Sequence, residues 1–264
     1  MAVDRQRYAP ENKGTYSLGG VAEVETAPWK VDLARQNLPR FDVTPFHEPV
    51  VTLIRAVDHG QLAWPPLVLT ALDSEEARRD AQRLWPDRLI DAATGDTMLG
   101  LHDHRHGLDP CMWCLFPVRR DQPSGAERVA EQLGLPVELL AHADAILTDE
   151  HLVGLTDDQR RRLAPHLGKP MCGLARATGL TSLDANGFMP SIPFVSLQAA
   201  CLSVGRLLAT HLGIDTPSNF IQYDSLIGPQ AASIDAMRVR RDCICRTRAH
   251  TIDKVRATRS TARR

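Results

Sequence analysis

The segment from residue 66 to residue 72 reads Pro66-Leu67-Val68-Leu69-Thr70-Ala71-Leu72 and contains no charged side chain. A continuous apolar run of this length is typical of a strand that is buried on both faces of a parallel sheet. Residues 74–84 follow as a helix that begins with a serine cap, and residues 88–92 form the next apolar strand. Strand, helix and strand at this spacing predict a βαβ unit, and the fold class is therefore α/β.

The segments on either side extend this unit. Those with a strand-like or helix-like pattern are residues 21–25 (half-buried strand), 32–42 (short helix or turn), 47–56 (strand or short helix), 98–101 (strand), 194–212 (apolar helix) and 220–224 (late edge strand). Together they predict a Rossmann-like, mostly parallel sheet that is doubly wound and flanked by helices.

Changes in composition divide the chain into five segments. They are an N-terminal arm (residues 1–18), the Rossmann-like half (19–118), a helical insertion (119–172), a crossover loop with the C-terminal half (173–246) and a basic tail (247–264). From residue 246 to the end, six arginines and one lysine stand against one aspartate. We expect this tail to be solvated and partly disordered, with a phosphate-binding arm as the alternative.

The overall composition argues against two classes of partner. The net charge of the 264 residues is −1, which gives no general affinity for nucleic acids or acidic membranes. No apolar run approaches the ~18 residues of a membrane span, and the N-terminus lacks the apolar core of a secretory signal. We expect a cytoplasmic protein, in which cysteines stay reduced and paired cysteines act as metal ligands rather than as disulfides.

Two pairs of cysteines stand about 130 residues apart and together supply four thiols. Cys111 and Cys114 lie three positions apart, and Cys243 and Cys245 lie two positions apart. Four thiolates complete the tetrahedral coordination of zinc and leave no open position, so the predicted zinc site is structural. The short spacing of the second pair strains its turn, and His250 is an alternative ligand.

Other cysteines and histidines have less specific patterns. His102, His104 and His106 alternate along a predicted strand and would face one side, as a metal site requires. We favour the alternative, a solvated strand end before the cysteine turn. Cys201 lies on the apolar helix and is expected to pack in the core.

Five segments in the same order resemble the ThiF/MoeB/ubiquitin-activating superfamily of adenylating enzymes. They are Asn37-Leu38-Pro39-Arg40, Asp73 with Arg78, residues 89–95, Pro110-Cys111-Met112-Trp113-Cys114-Leu115-Phe116-Pro117, and residues 193–200. The resemblance covers roughly residues 20–118 and 188–246.

The resemblance implies ATP and magnesium chemistry at the C-terminal glycine of a small ubiquitin-like or sulfur-carrier protein. By position, Asp73 would bind magnesium, and Asn37, Arg40 and Arg78 would contact the nucleotide. Cys172 would be the acyl acceptor. Asp73 also suits a helix N-cap, and Cys172 also suits an ordinary half-buried thiol. Members of the family are usually homodimers or heterodimers.

The first βα unit of that family, with its Gly-x-Gly-x-x-Gly loop, is missing or degenerate here. Gly19-Gly20 is the only adjacent glycine pair near the start, and no lysine occurs between Lys30 and Lys169. Three explanations are open. The N-terminal arm replaces this unit and ATP chemistry is lost, or a partner chain supplies the nucleotide site, or the carrier is activated at a smaller site that lacks the loop. We expect the chain either to act as an enzyme that activates the C-terminus of a carrier protein with ATP, or to form part of one as a subunit of a heteromeric enzyme. The alternative is a catalytically inactive scaffold that binds a partner enzyme or carrier peptide, and a nucleic-acid binder is a distant third.

Overall fold

A computed structural model describes residues 1–12, 16–72, 74–95, 97–118, 125–141, 145–169, 174, 193–214 and 216–261. Two of the predicted site residues, Asp73 and Cys172, lie outside the described residues. The chain divides into two compact units, of which the first comprises Met1–Pro117 and Ser191–Arg264 and the second comprises Val118–Pro190.

The described strands are β1 (Ala2–Val3), β2 (Pro45–Phe46), β3 (Leu67–Thr70), β4 (Arg88–Gly95), β5 (Met98–Arg105), β6 (Phe220–Asp224) and β7 (Ser233–Asp235). The described helices are α1 (Ala22–Thr26), α2 (Lys30–Asn37), α3 (Val50–Asp58), α4 (Glu75–Gln82), α5 (Met112–Leu115), α6 (Gly125–Leu133), α7 (Val137–Ala141), α8 (Asp157–Leu163), α9 (Pro193–His211), α10 (Ile244–Thr247) and α11 (Ala249–Thr261).

The main sheet of the described chain has the strand order β3-β4-β5-β6-β7. The α/β class is confirmed, but the prediction of a mostly parallel sheet is wrong. Only β3 and β4 run parallel, and the three following pairs are antiparallel. The link between β4 and β5 spans two residues after Gly95, and so short a link can join only antiparallel strands.

The predicted βαβ unit is present as β3, α4 and β4. The Ser74 hydroxyl oxygen accepts a hydrogen bond from the backbone N–H of Ala77 at 3.1 Å, which caps the start of α4. The burial predicted for the first strand is wrong, because β3 is an edge strand and its Leu67 and Leu69 side chains are exposed. Residues 66–72 therefore carry more apolar side chains than the described neighbours of β3 bury.

Three other predicted elements differ from the structure. Residues 21–25, expected as a strand, contribute to helix α1. Residues 220–224 form β6, which is an inner strand because β7 pairs beyond it. The described part of the predicted N-terminal arm belongs to the first unit, where Tyr8 is fully buried and β1 pairs with β2.

Helices cover both faces of the main sheet. On one face, α9 packs on β4 and β5 through Val195 and Ala199, which contact Ala92 and Leu99. The other face carries α4 and α5, whose Ala81 and Met112 pack against Leu89 and its neighbours. These helices bury the apolar side chains on the two faces of the sheet. The core therefore lies in two layers, one between the sheet and α9 and one between the sheet and helices α4 and α5.

Among the described helices, α9 alone is long and apolar enough to cross a membrane. The sequence pattern had shown no apolar run of that length. Core helices of soluble proteins pass the same test of length and composition. Arg206 of α9 is buried and lies 3.6 Å from the Asp103 carboxylate of β5. Helix α9 therefore packs on the sheet through one face and contributes to an internal ion pair.

The basic tail is folded over most of its length, and the prediction of a disordered tail is wrong for residues 249–261. These residues form α11, with Ile252 and Arg259 buried. The Arg259 guanidinium bonds to the Asp58 carboxylate at 2.6 Å and donates to the backbone oxygens of Arg83 and Leu84. Of the six arginines that suggested a solvated tail, Arg256 and Arg259 therefore bind backbone oxygens at the C-terminal end of α4.

The second unit has its own apolar core. Its buried side chains come from α6, α8, the segments between them and one residue beyond α8: Val129, Leu133, Leu135, Leu147, Leu155, Leu163 and Leu174. The predicted helical insertion, residues 119–172, falls inside this unit, and its described part contains α6, α7 and α8.

Replacing Arg259 with alanine should lower the free energy of unfolding by about 2–3 kcal/mol, because two carbonyl oxygens and one carboxylate lose a charged donor. The exposed Lys254 of the same helix is the control, and Lys254→Ala should change stability by no more than about 0.5 kcal/mol. Urea unfolding measures both, and equal stability of the two variants would contradict the docking of α11.

Candidate metal centre

The first cysteine of each pair stands at the start of a short helix. Cys111 has extended backbone before α5, and its carbonyl oxygen accepts from the N–H of Cys114 at 2.8 Å. Cys243 has the same position before α10, where its carbonyl oxygen accepts from the N–H of Arg246 at 3.0 Å. The two turns therefore present their thiols in similar ways, although the second cysteine comes one position earlier in the second pair.

The sulfur atoms of the four cysteines lie close together in the folded chain. Sγ of Cys111 lies 4.0 Å from Sγ of Cys114 and 3.5 Å from Sγ of Cys243, and Sγ of Cys114 lies 3.5 Å from Sγ of Cys245. All four sulfurs lie within 4.8 Å of one another. A tetrahedron with zinc–sulfur bonds of about 2.3 Å has edges of about 3.8 Å, so the donor set fits a zinc ion. His250 is exposed on α11, and the alternative that it replaces a cysteine is not needed.

The thiols are crowded enough to perturb one another. The hydrogen bond from Cys111 lowers the pKa of the Cys114 thiol, and the same contact raises the pKa of Cys111. Contact with Cys111 is also the main cause that lowers the pKa of Cys243. Four thiolates this close repel one another unless a cation lies between them, and a bound metal ion would supply that charge.

Apolar side chains enclose the cysteine cluster. Trp85, Ile252 and Val239 pack with the cysteines, and the Trp85 ring stacks on Trp113 at a centroid distance of 5.6 Å. Trp85 follows α4 and Ile252 belongs to α11, so three parts of the chain meet at the thiols. Cys111 is completely buried, which is typical of a structural site rather than one open to substrate.

The three histidines do not form a solvated strand end, and that prediction is wrong for two of them. His102 and His104 are buried on β5, and His106 pairs with Asp253 at 2.7 Å beyond the strand. Within the described residues none of the three joins the metal-compatible group, which consists of the four cysteines. His104 places Nδ1 3.0 Å from the Asp109 carbonyl oxygen, and its Nε2 has no hydrogen-bond partner among the residues that the structure describes.

A second polar cluster surrounds Asp91 on β4, and the sequence analysis missed it. The Asp91 carboxylate is fully buried, accepts from the Thr70 hydroxyl at 2.6 Å, and lies 3.3 Å from Nδ1 of His102. Arg78 lies 3.7 Å from the same carboxylate and donates to the Leu72 carbonyl oxygen. A lone aspartate within an apolar strand was the available signal, because a buried carboxylate requires partners.

The predicted nucleotide residues are not brought together by any contact in the described chain. Asn37 ends α2, and its side-chain amide donates to the Leu18 carbonyl oxygen at 2.7 Å. Arg40 lies exposed in the turn that follows, whereas Arg78 belongs to the Asp91 cluster. Cys201, expected in the core, is exposed on the outer side of α9, and that prediction is wrong.

Comparison of the sequence with models of protein families and with curated proteins gives no match. The resemblance to the adenylating superfamily therefore rests on the quoted segments, and the metal centre rests on its own geometry.

Replacing Cys111 with serine should reduce bound zinc from about one ion per chain to none, because three thiolates remain and the buried hydroxyl is a poor ligand. We expect Tm to fall by about 6–12 °C, equivalent to about 3 kcal/mol. Elemental analysis and thermal unfolding measure the two effects. Cys201→Ser, at an exposed thiol outside the cluster, is the matched control and should change neither. Wild-type protein without metal would contradict the zinc site.

Stability should also decrease as the pH falls below about 6.5, because burial lowers the pKa of His104 in the folded protein. The unfolded chain then binds a proton more readily than the folded one, so acid favours unfolding until the folded-state pKa is passed. His104→Asn keeps a donor near the Asp109 carbonyl oxygen but cannot titrate. Its unfolding free energy should depend less on pH between 5 and 7 than that of the wild type, and parallel curves would contradict this assignment.

Proposed function

We propose that this chain is a zinc-stapled subunit of an enzyme that uses ATP to activate the C-terminus of a ubiquitin-like or sulfur-carrier protein. The observation that carries the proposal is the convergence of the two cysteine pairs, since one pair belongs to the segment most similar to that family. In this proposal the zinc ion is structural and ties the turn at Cys111 to the chain that leads into α11.

A cleft supports the proposal. It measures about 390 Å³ and lies at the carboxyl ends of β3 and β4, where open α/β sheets bind their ligands. Its lining includes Thr70, Thr94, Ser196 and Arg78, which offer hydroxyl groups and one guanidinium. The position suits a carboxylate or phosphate, although Asp91 and the Leu72 carbonyl oxygen already engage Arg78.

The same cleft favours a subunit over an autonomous enzyme. Arg78 is the only cation among the described lining residues, and a nucleoside triphosphate needs several donors and a metal ion. The sequence has no Gly-x-Gly-x-x-Gly loop to supply backbone donors. A second polypeptide would therefore contribute the phosphate loop.

The proposed reaction is an adenylyl transfer. A carboxylate oxygen of the carrier's terminal glycine attacks the α-phosphorus of ATP, and the bond to the β,γ-diphosphate breaks. The products are the carrier acyl-adenylate and pyrophosphate. Magnesium would offset the charge on the leaving pyrophosphate, and Arg78 would interact with the negative charge that develops at the α-phosphate.

The alternative function is a scaffold of the same fold that binds a partner enzyme or carrier peptide without chemistry. The missing glycine-rich loop favours this alternative. The two functions differ in one measurable respect, because only the enzyme exchanges pyrophosphate with ATP.

The test is ATP–pyrophosphate exchange with carrier protein present, for the isolated chain and for the complex purified from the source organism. We expect pyrophosphate exchange with the complex and none with the isolated chain. In the complex, Arg78→Gln should lower the exchange rate by about 10–100-fold, because the negative charge of the transition state loses a hydrogen-bond donor. Arg35→Gln, at an exposed side chain on α2, is the control. If the complex binds the carrier protein but does not exchange pyrophosphate, the scaffold function is correct and the enzyme function is wrong. Exchange that Arg78→Gln does not affect would contradict the proposed role of Arg78.

A further inference from the structure

The four thiols of the cysteine cluster differ in their access to solvent. Cys111 is completely buried, and Cys243 and Cys114 are only 5% and 7% exposed. Cys245 is half-buried, so a reagent dissolved in water reaches its sulfur first. Oxidation of cysteine follows thiolate character and exposure. Because a bound metal ion keeps all four thiols deprotonated, exposure decides which of them reacts first.

A close partner for Cys245 lies in the other turn. Its Sγ is 3.5 Å from Sγ of Cys114, whereas the two sulfurs within the first turn, those of Cys111 and Cys114, are 4.0 Å apart. An S–S bond is about 2.05 Å long, so the sulfurs of Cys114 and Cys245 need to approach by about 1.5 Å to form one. The bond across the two turns therefore requires less movement than the bond within the first turn.

The backbone of the second turn disfavours a bond between its own two cysteines. Cys245 is the second residue of α10, and Cys243 precedes this helix with extended backbone. Side chains two positions apart on a helix do not face each other, so a disulfide between these cysteines would require the start of α10 to unwind. The sulfur of Cys245 is therefore better placed to bond to the first turn than to its own.

We propose that Cys114 and Cys245 are a peroxide-sensitive pair, which forms a disulfide across the two turns and releases the metal ion. The thiolate of Cys245 attacks one oxygen of hydrogen peroxide, the O–O bond breaks, and hydroxide leaves. The thiolate of Cys114 then attacks the sulfur of the resulting sulfenic acid, the S–S bond forms, and a second hydroxide leaves. Two thiolates lose two electrons in total, and peroxide takes them up. The metal ion loses half of its ligands and dissociates.

This disulfide keeps the two turns joined after the metal ion has left. It links α5 to α10, and α11 begins four residues after Cys245. Helix α11 therefore stays at the end of α4, where Arg256 and Arg259 donate to backbone oxygens. A disulfide within either turn would instead leave the turns unconnected. The inference concerns the cysteines alone and does not depend on the proposed ATP chemistry.

Peptide mapping tests which bond forms. The tryptic peptides that comprise residues 106–119 and 242–246 each contain one complete pair of cysteines. The full chain with bound zinc is treated with equimolar hydrogen peroxide, alkylated and digested. Mass spectrometry should find the two peptides linked, with the bond between Cys114 and Cys245, and a chromophoric chelator should detect zinc release at the same rate. A disulfide within either peptide, a first bond between Cys111 and Cys243, or no disulfide would overturn the inference.

Two variants matched for metal loss isolate the reactive pair. Cys111→Ser and Cys245→Ser each leave three thiols in the cluster, and only Cys111→Ser keeps both Cys114 and Cys245. Cys111→Ser should still form the link under peroxide. Cys245→Ser should link the two turns at least about tenfold more slowly, because its remaining close pair, Cys111 and Cys243, is buried. Equal rates for the two variants would contradict the assignment of the pair.

Thermal unfolding tests whether the disulfide holds the turns together. Oxidised wild-type protein should unfold at a higher temperature than wild-type protein that is reduced and freed of metal by a chelator, because the cross-link limits the unfolded chain. Equal unfolding temperatures would show that the bond does not replace the metal ion as a link between the turns, and would contradict that part of the inference.

Discussion

Four thiols within 4.8 Å of one another hold distant parts of this chain together. They join a turn that follows β5 to a turn near the end of the chain, across 132 positions of sequence between Cys111 and Cys243. Without a cation this arrangement does not stabilise the fold, because thiolates at such short distances repel one another. The geometry is explained once a tetrahedral ion is placed among them.

The C-terminal helix depends on that constraint and extends it. α11 begins four residues after the last cysteine, and its Arg256 and Arg259 donate to backbone oxygens at the C-terminal end of α4. One of these oxygens belongs to Trp85, a residue with left-handed backbone whose ring lies against the cysteines. The cysteine cluster, the end of α4 and α11 therefore form one packed junction on the side of the sheet that carries α4.

Much of this architecture was predictable from local patterns. The βαβ unit follows from the apolar run at residues 66–72, the serine cap at Ser74 and the next apolar strand. The cysteine cluster follows from residue type and spacing alone. The βαβ prediction uses short-range information, in which residue spacing translates directly into geometry. The joining of the two distant cysteine pairs was predicted differently, from the four ligands that a tetrahedral metal ion requires.

The failures come from long-range contacts. His102 and His104 alternate in the same way whether a strand end is solvated or covered, so their burial depends on α5 and β6 packing against β5. Arginines 256 and 259 are ordinary surface residues until α4 presents its last carbonyl oxygens to them. The antiparallel return at Gly95 was also missed, because apolar strands have the same composition in either direction.

The separation of the two cysteine pairs has a consequence for biosynthesis. During translation, Cys111 and Cys114 leave the ribosome with two of the four ligands, and the whole second unit must follow before Cys243 and Cys245 emerge. The nascent chain therefore carries only two of the four thiols while its sheet still lacks β6 and β7. A metal ion held by all four thiols can therefore be captured only after Cys245 has been synthesised.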